Sequence, residues 1–417
     1  MTEASRTGAS AAGAQRSFAA LRHPDFRVYF VTTALAMMAD NIEHVISYWV
    51  IFEKFHSPAL AGFAVLSHWL PFLFFSVYFG ALADRFDSRR LIQIAMLMFM
   101  AVSFGWAWLF YTDTLQVWHA MVLLVVHGLA GVLWAPASQL LIHDIVGRDR
   151  LVSAVRLNAT GRQLGVFLGP GVGGALMLLL GPAAGLIVNV LIYLPLVLWL
   201  WRVPYGTVQR RESAPAQDAG LGGALKTLRQ VSGNRTIVTM IALAGVSSLF
   251  VGNAFLAQMP EYAHDLGTEK ADFSYAVLLG ANAAGAFIGG MLLEAGGLLR
   301  STPQVAMVLT LLWCFSIAGF AATTSYPLAV ALMFVAGFLN LAFTSMAQAL
   351  VQLESPPHLR GRLIGLFQMS HNGLRAFSGI SVGLLGSLIG IHWSLALSAL
   401  ALLTVTTVLL AFSMRAR

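Results

Sequence analysis

Between Gly181 and Trp201 the chain runs without a single charged side chain. A helix of roughly 20 apolar residues crosses the hydrocarbon core of a bilayer, and few other settings accept such a run. The pattern recurs along the chain. Apolar stretches lie near 26–52, 58–83, 91–111, 116–142, 153–180, 182–202, 235–260, 273–297, 303–323, 327–351, 363–389 and 391–413. Lipid offers no partner to a backbone amide, so these stretches read as helices. A membrane β-barrel would instead alternate polar and apolar residues in segments of about ten.

Composition supports the same reading. Hydrophobic residues make up 58% of the 417, charged residues only 10%. Soluble domains carry about 25% charge. A soluble enzyme, a disordered chain and a nucleic-acid binder are therefore excluded as expectations. The basic balance, 25 Lys and Arg against 18 Asp and Glu, is then a question of membrane sidedness. With both termini in the cytoplasm, nearly all the cations fall on that side. Arg85, Arg89 and Arg90 follow the second stretch; Arg148, Arg150 and Arg156 follow the fourth; a further group runs from Arg202 to Arg235. Lys54 and Lys270 alone fall outside, and Arg162 and Arg375 lie within stretches. This asymmetry predicts cytoplasmic termini. The segment before Phe26 is rich in Ala, Ser and Gly with Arg6, Arg16 and Arg22, and reads as a loose tail rather than a signal peptide. The one cysteine, Cys314, cannot form an intrachain disulfide.

The expected organisation is a cytoplasmic tail (1–21), a six-helix bundle (22–202), a polar linker (203–234) and a second six-helix bundle (235–414). The halves resemble each other. Gly80, Asp84 and Arg90 have the spacing of Gly290, Glu294 and Arg300, at an offset of 210; Gly165 aligns with Gly373 at an offset of 208. Duplicated bundles of this kind place a substrate site between them near the bilayer midplane.

Two motifs stand out. The first, Gly80-Ala-Leu-Ala-Asp84-Arg85-Phe-Asp87-Ser-Arg89-Arg90, joins the second and third stretches. Gly80 permits close helix approach, and Asp84 at a helix end suits a cation or a helix N-terminus. The alternative is an ordinary basic loop. In the second, Gly161, Gly165, Gly169 and Gly173 recur every four residues, with Pro170 and Gly174 among them. That spacing makes one smooth helix face for close packing.

The first motif resembles the loop signature of the major facilitator superfamily, which latches the cytoplasmic side in the outward-open state. Asp87 and Ser88 stand where Gly-Arg is common. The second, Gly165-x-x-x-Gly169-Pro170-x-x-Gly173-Gly174, resembles the fifth-span signature of the antiporters of that superfamily. Residues 136–174 and 356–373 resemble the branch of drug and siderophore exporters that includes the enterobactin exporter and macrolide efflux proteins. His127-Gly128 stands where many antiporters carry Arg-Gly. The resemblance runs from about Arg22 to the C-terminus. It implies an all-α membrane protein of twelve transmembrane helices in two pseudo-symmetric six-helix bundles. It also implies a monomer in the bacterial inner membrane.

Charge inside the spans marks candidate chemistry, because an unpaired carboxylate in lipid costs several kcal/mol. Asp40, Glu43 and His44 share one helix face. Asp40, nearest the midplane, is the leading proton-coupling candidate, with Glu43 as another and Arg162 as a counter-charge. Glu43 and His44 have a plainer reading as the lining of a wet outer vestibule. His371 and Arg375 form a second i, i+4 pair, and with His44 they are candidates for lining the substrate cavity. His68 and His127 are further substrate-cavity candidates, though as lone membrane histidines they read more readily as hydrogen-bonded packing residues, and no Cys/His cluster has metal-ligand spacing. Asn253, Asn282 and Asn340 either line a cavity or join helices. Trp49, Trp106, Trp108, Trp118, Trp199 and Trp201 sit near span ends, where an interfacial belt is expected.

The expectation is a secondary transporter exporting an amphipathic small molecule by exchange with protons. A proton-coupled importer of the same fold is the alternative. The expected partners are substrate, protons and lipid, with no nucleic acid. No cofactor or metal is expected, and no nucleophile–base motif suggests an enzyme.

Overall fold

The computed structural model describes residues 18–55, 58–205, 221–252, 254–266, 271–296, 300–378, 382 and 385–414, all of them helical or connecting, with no strand among them. The first half comprises α1 (Pro24–Phe55), α2 (Pro58–Arg85), α3 (Ser88–Tyr111), α4 (Val117–Val146), α5 (Leu151–Leu180) and α6 (Pro182–Arg202). A short helix, α7 (Leu221–Gln230), lies in the connection. The second half comprises α8 (Arg235–Phe250), α9 (Ala254–Ala257), α10 (Met259–Asp265), α11 (Ala271–Gly296), α12 (Pro303–Ala322) and α13 (Tyr326–Glu354). It continues as α14 (Arg360–Gln368), a π-helical turn (Met369–Gly373), α15 (Arg375–Ser378), α16 (Leu385–Ile389) and α17 (Ile391–Met414). The end of the molecule that carries the connection between α6 and α8 is called the linker face below.

Among the described residues, nine helices are long and apolar enough to cross a membrane. The three remaining stretches depart for physical reasons. The first forms α1, long enough at 32 residues but carrying Asp40 and Glu43 in its middle. The seventh is broken into α8, α9 and α10; α8 stops at Val251, and Gly252 takes φ +51°, outside helical geometry. The eleventh is interrupted by the π turn. Irregular backbone at membrane depth is stable only where protein or a polar cavity covers it.

Each half has its own apolar core. Phe26, Tyr29, Phe99, Leu141 and Tyr193 are fully buried among α1–α6, and Met240, Trp313, Phe320 and Phe343 among α8–α17. At the linker face the cores interdigitate: Val77 joins the cluster of the second half, and Ala349 and Ile364 join that of the first. The glycine face of α5 lies against α1. A β-carbon at position 165 would collide with the backbone at Ala34 and Met38, and one at 169 with Asn41. Gly174 points into open space, outside this contact, and Pro170 is exposed.

Local caps fix the helix ends. Asp87 accepts from the Arg89 amide (2.9 Å) and so starts α3, while its other contacts tie it to the Arg89 guanidinium. Arg89 also donates to the Val203 carbonyl at the end of α6. Tyr205 donates to Asp25 (2.7 Å); burial and that carboxylate push the phenol up to about 12, so it stays a donor at any physiological pH. Trp49, Trp108, Trp118 and Trp201 are exposed as a belt requires, but Trp106 is fully buried. It lies two residues, about 200° around the helix, from Trp108 and therefore faces the bundle, against Phe110.

Candidate functional site

The halves are joined at the linker face along two seams. On the first, α2 runs beside α14 and the π turn. Both Asp84 oxygens accept backbone amides from the start of α14, Gly361 N at 2.6 Å and Arg362 N at 2.9 Å. A carboxylate here satisfies otherwise unpartnered amides and complements the helix dipole. The helices approach so closely that a β-carbon on Gly80 would strike the Gly361 carbonyl, and one on Gly373 would strike Leu73. On the second seam, α5 meets α11. Arg156 Nη1 reaches the Leu293 carbonyl (2.8 Å) and Glu294 (3.3 Å), and Ser153 donates to the same carboxylate. Deeper in, Thr160 fills the space that a side chain at Gly290 would need. Gln352 donates to Gln139 (3.0 Å) between the seams. Arg90 serves α3 instead, through Gln93 (2.9 Å), and Arg85 is exposed.

Ser153 and Arg156 were not legible as site residues from spacing alone. The signal was the repeat offset: adding 210 to Asp84 gives Glu294, and subtracting 208 from Gly361 gives Ser153. The two seams place an acidic residue at the same repeat position, Asp84 accepting backbone amides and Glu294 meeting side chains.

Within the first half a buried polar network spans four helices. His127 on α4 sits between two carboxylates of α1. Its Nδ1 is 2.8 Å from Glu43 Oε1, and its Nε2 is 3.0 Å from Asp40 Oδ1. Ser103 of α3 donates to the other Glu43 oxygen and accepts from Asn189 of α6 at 3.2 Å. His44 Nδ1 approaches the Asp40 carbonyl at 2.7 Å. Glu43 and His127 are each only 3% exposed, so Glu43 lines no vestibule; it is the inner anchor of the network. His127 is buried and hydrogen-bonded, and it also bridges the two carboxylates. Arg162 makes no ion pair with Asp40 among the described residues; the histidines meet that carboxylate.

Sequence spacing shows no histidine cluster, yet His44, His68 and His127 converge from three helices. One ring nitrogen of each lies within 4.8 Å of the others. Tetrahedral zinc with bonds near 2.0–2.1 Å would hold nitrogens about 3.4 Å apart. Both His127 nitrogens already face carboxylates, so the arrangement suits proton sharing better than metal ligation. A ring with one N–H can satisfy only one of its two carboxylates, and the other contact needs a further proton. Loading or losing one proton therefore re-partitions the whole triad.

At the floor between the halves, Arg375 donates to His371 Nε2 (2.9 Å) and lies over the Trp69 ring, 5.3 Å from its centroid. Arg162 is half-buried on α5, within electrostatic reach of Arg375, His371 and Asp40. Asn282 donates to the Met333 carbonyl (3.3 Å) and joins α11 to α13, and Asn340 is half-buried on α13. Asn253 lies outside the described residues.

Twin bundles, matched seams at one face and a buried charge network define a transporter of the major facilitator type. Residues 15–417 match the family described as transmembrane secretion effector, and the chain belongs to that family. Part of the chain is similar to the staphyloferrin A transporter of Staphylococcus aureus, 21% identical over 186 residues. That match covers 43% of this chain and 47% of the relative, so the chain spans about half the length of the curated relative it matches. The fold is that of the E. coli fucose:proton symporter (TM-score 0.71, 14% identity, 95% and 99% of the two chains covered). A fucose-transporter structure in the outward conformation gives a TM-score of 0.74 at 13% identity, with 93% and 98% covered. The human organic anion transporter gives 0.68 at 14%, with 92% and 99% covered.

Proposed function

We propose that this protein exports an amphipathic small molecule from the bacterial cytoplasm in exchange for protons. It does so as a monomer in the inner membrane with both termini inside. The linker face is then cytoplasmic, as the clustering of Arg85, Arg89, Arg90, Arg148 and Arg150 supports. With the seams closed there, the site between the halves is reached from outside. The similarity to a staphyloferrin A transporter supports a siderophore-like cargo.

The observation that carries the coupling is His127 held between Asp40 and Glu43. Asp40, the less buried of the two carboxylates, takes a proton from outside as substrate leaves. The triad rearranges its hydrogen bonds, the halves rock, and the proton is released inside. Breaking the Asp84 and Glu294 contacts opens the linker face, which is how proton occupancy and access become linked.

The test is proteoliposome transport of staphyloferrin A and amphipathic dyes under an imposed pH gradient. Cargo should move against the direction of proton flow, and Asp40→Asn should abolish the gradient dependence while the protein stays folded. Cargo moving with the protons would instead support an importer. Undiminished pH-driven transport by Asp40→Asn would remove Asp40 from coupling.

A further inference from the structure

One face of α2 makes the first seam. Asp84, Gly80, Ser76 and Leu73 follow one another at three- and four-residue steps, and each meets α14 or the π turn. Trp69 is the next residue on that face, one turn deeper than Leu73. Arg375 of α15 lies over its ring, 5.3 Å from the centroid, so this contact too crosses between the halves. On its other side Trp69 adjoins the buried network of the first half. The His68 ring meets it edge to face at 4.6 Å. His68 in turn lies 5.0 Å from His44 and 5.7 Å from His127. Gly128 makes this approach possible: a β-carbon there would strike the Ser67 carbonyl, so α4 is drawn against α2 beside the histidines. His44 and His127 are bonded to α1, whereas His68 Nδ1 is buried without a hydrogen-bond partner among the described residues. It is the ring nitrogen still to be filled when the triad rearranges.

With 4.6 Å on one side of Trp69 and 5.3 Å on the other, the His68 ring and the Arg375 guanidinium lie within about 10 Å of each other, and charges that close inside a protein are little screened. At an effective dielectric of about 20, repulsion between two cations at that separation changes an equilibrium roughly tenfold. Among the described residues, the other titratable groups facing the histidines are Asp40, Glu43 and Tyr48 on α1, Arg162 on α5 and Tyr193 on α6. All of these belong to the first half and stay with the histidines when the halves move. Arg375, with His371 behind it at 2.9 Å, belongs to the second.

We infer that Trp69 is a positioning residue that holds the Arg375 cation beside the histidine group, so that a proton loaded in the first half weakens the contact to the second. This assignment rests on the proton-coupling reading above and names the contact through which proton occupancy reaches the halves. With the histidines neutral, the Trp69 face and His371 keep Arg375 in place. A loaded proton adds positive charge on the far side of Trp69, and parting of the halves at the linker face relieves it.

The test needs no cargo. In lipid nanodiscs, spin labels at the exposed positions Phe86 and Ser232, in a Cys314→Ser background, report the linker face. The ratio of open to closed populations is read between about pH 8 and pH 5, the range in which histidine titrates. Lowering the pH should raise that ratio about tenfold in the parent and no more than about twofold in Arg375→Gln. Arg375→Lys, which keeps the charge, should respond more than Arg375→Gln. Trp69→Phe, which keeps a ring face, should respond more than Trp69→Leu. A parent ratio that does not change with pH overturns the assignment, and so does a response of parental size in Trp69→Leu. A response of parental size in Arg375→Gln overturns it as well, and would originate elsewhere at the seam, as at His143 beside Arg360 (3.3 Å). Asp40→Asn separates the two readings. If it abolishes the response while Arg375→Gln keeps it, proton loading at Asp40 stands and the Trp69 contact is refuted.

Discussion

A single imidazole organises the buried charge of the first half. His127 Nδ1 and Nε2 each face a carboxylate of α1, and Ser103 with Asn189 completes the inner end. Removing one member of such a buried set strands the others, at about 3–5 kcal/mol. His127→Ala should therefore destabilise the protein more than Ser103→Ala, which loses one charge-assisted hydrogen bond worth about 1.5–3 kcal/mol and the weaker bond from Asn189. Thermal unfolding in detergent checks this; an equal or smaller effect at His127 contradicts the bridging geometry. Asp40 and Glu43 were visible in the sequence as charges out of place in lipid. His127 was visible as a membrane histidine, but not its pairing, because its partners lie 84 and 87 positions away on another helix, and no spacing rule connects them.

At the scale of helices, the close-packing face of α5 was legible because a four-residue glycine repeat lets backbones touch, but that α1 is the helix it meets was not. Its register can be tested by contrast. Gly165→Leu forces a side chain into the α1 backbone and should destabilise by about 1–3 kcal/mol. Gly174→Ala meets nothing and should stay within about 0.5 kcal/mol of the parent. Similar losses at both positions would mean that the ridge is misplaced. The breaks in the seventh and eleventh spans were hidden, since apolar composition looks the same whether a helix is continuous or interrupted. What interrupts them is local geometry: a left-handed Gly252 in one, a π turn in the other. Gly373, which closes that turn, packs on Leu73 and so belongs to the seam between halves.

For the molecule as a whole, the duplicated halves were legible from two matches at nearly one offset, and the seams repeat that symmetry as paired contacts. Asp84 holds the start of α14, and Glu294 holds the start of α5. Which residue meets which across the halves was not legible until one contact was known; the offset then supplied the other. Because Asp84 makes two charge-assisted bonds to α14, Asp84→Ala should favour the state open at the linker face by at least the energy of a single such bond, about 1.5–3 kcal/mol, a shift in population of roughly 10- to 150-fold or more. Cys314 is the sole native thiol and is buried, so Cys314→Ser gives a clean background for labels. Spin-label pairs at Phe86 with Ser232, and at Trp118 with Trp393, report the linker face and the opposite face, all four positions being exposed. Distances measured by electron paramagnetic resonance in the parent and in Asp84→Ala test the account most directly. Alternating access predicts that the variant lengthens the first distance while it shortens the second. Both distances lengthening together, or neither changing, would contradict two halves that rock about a shared central site.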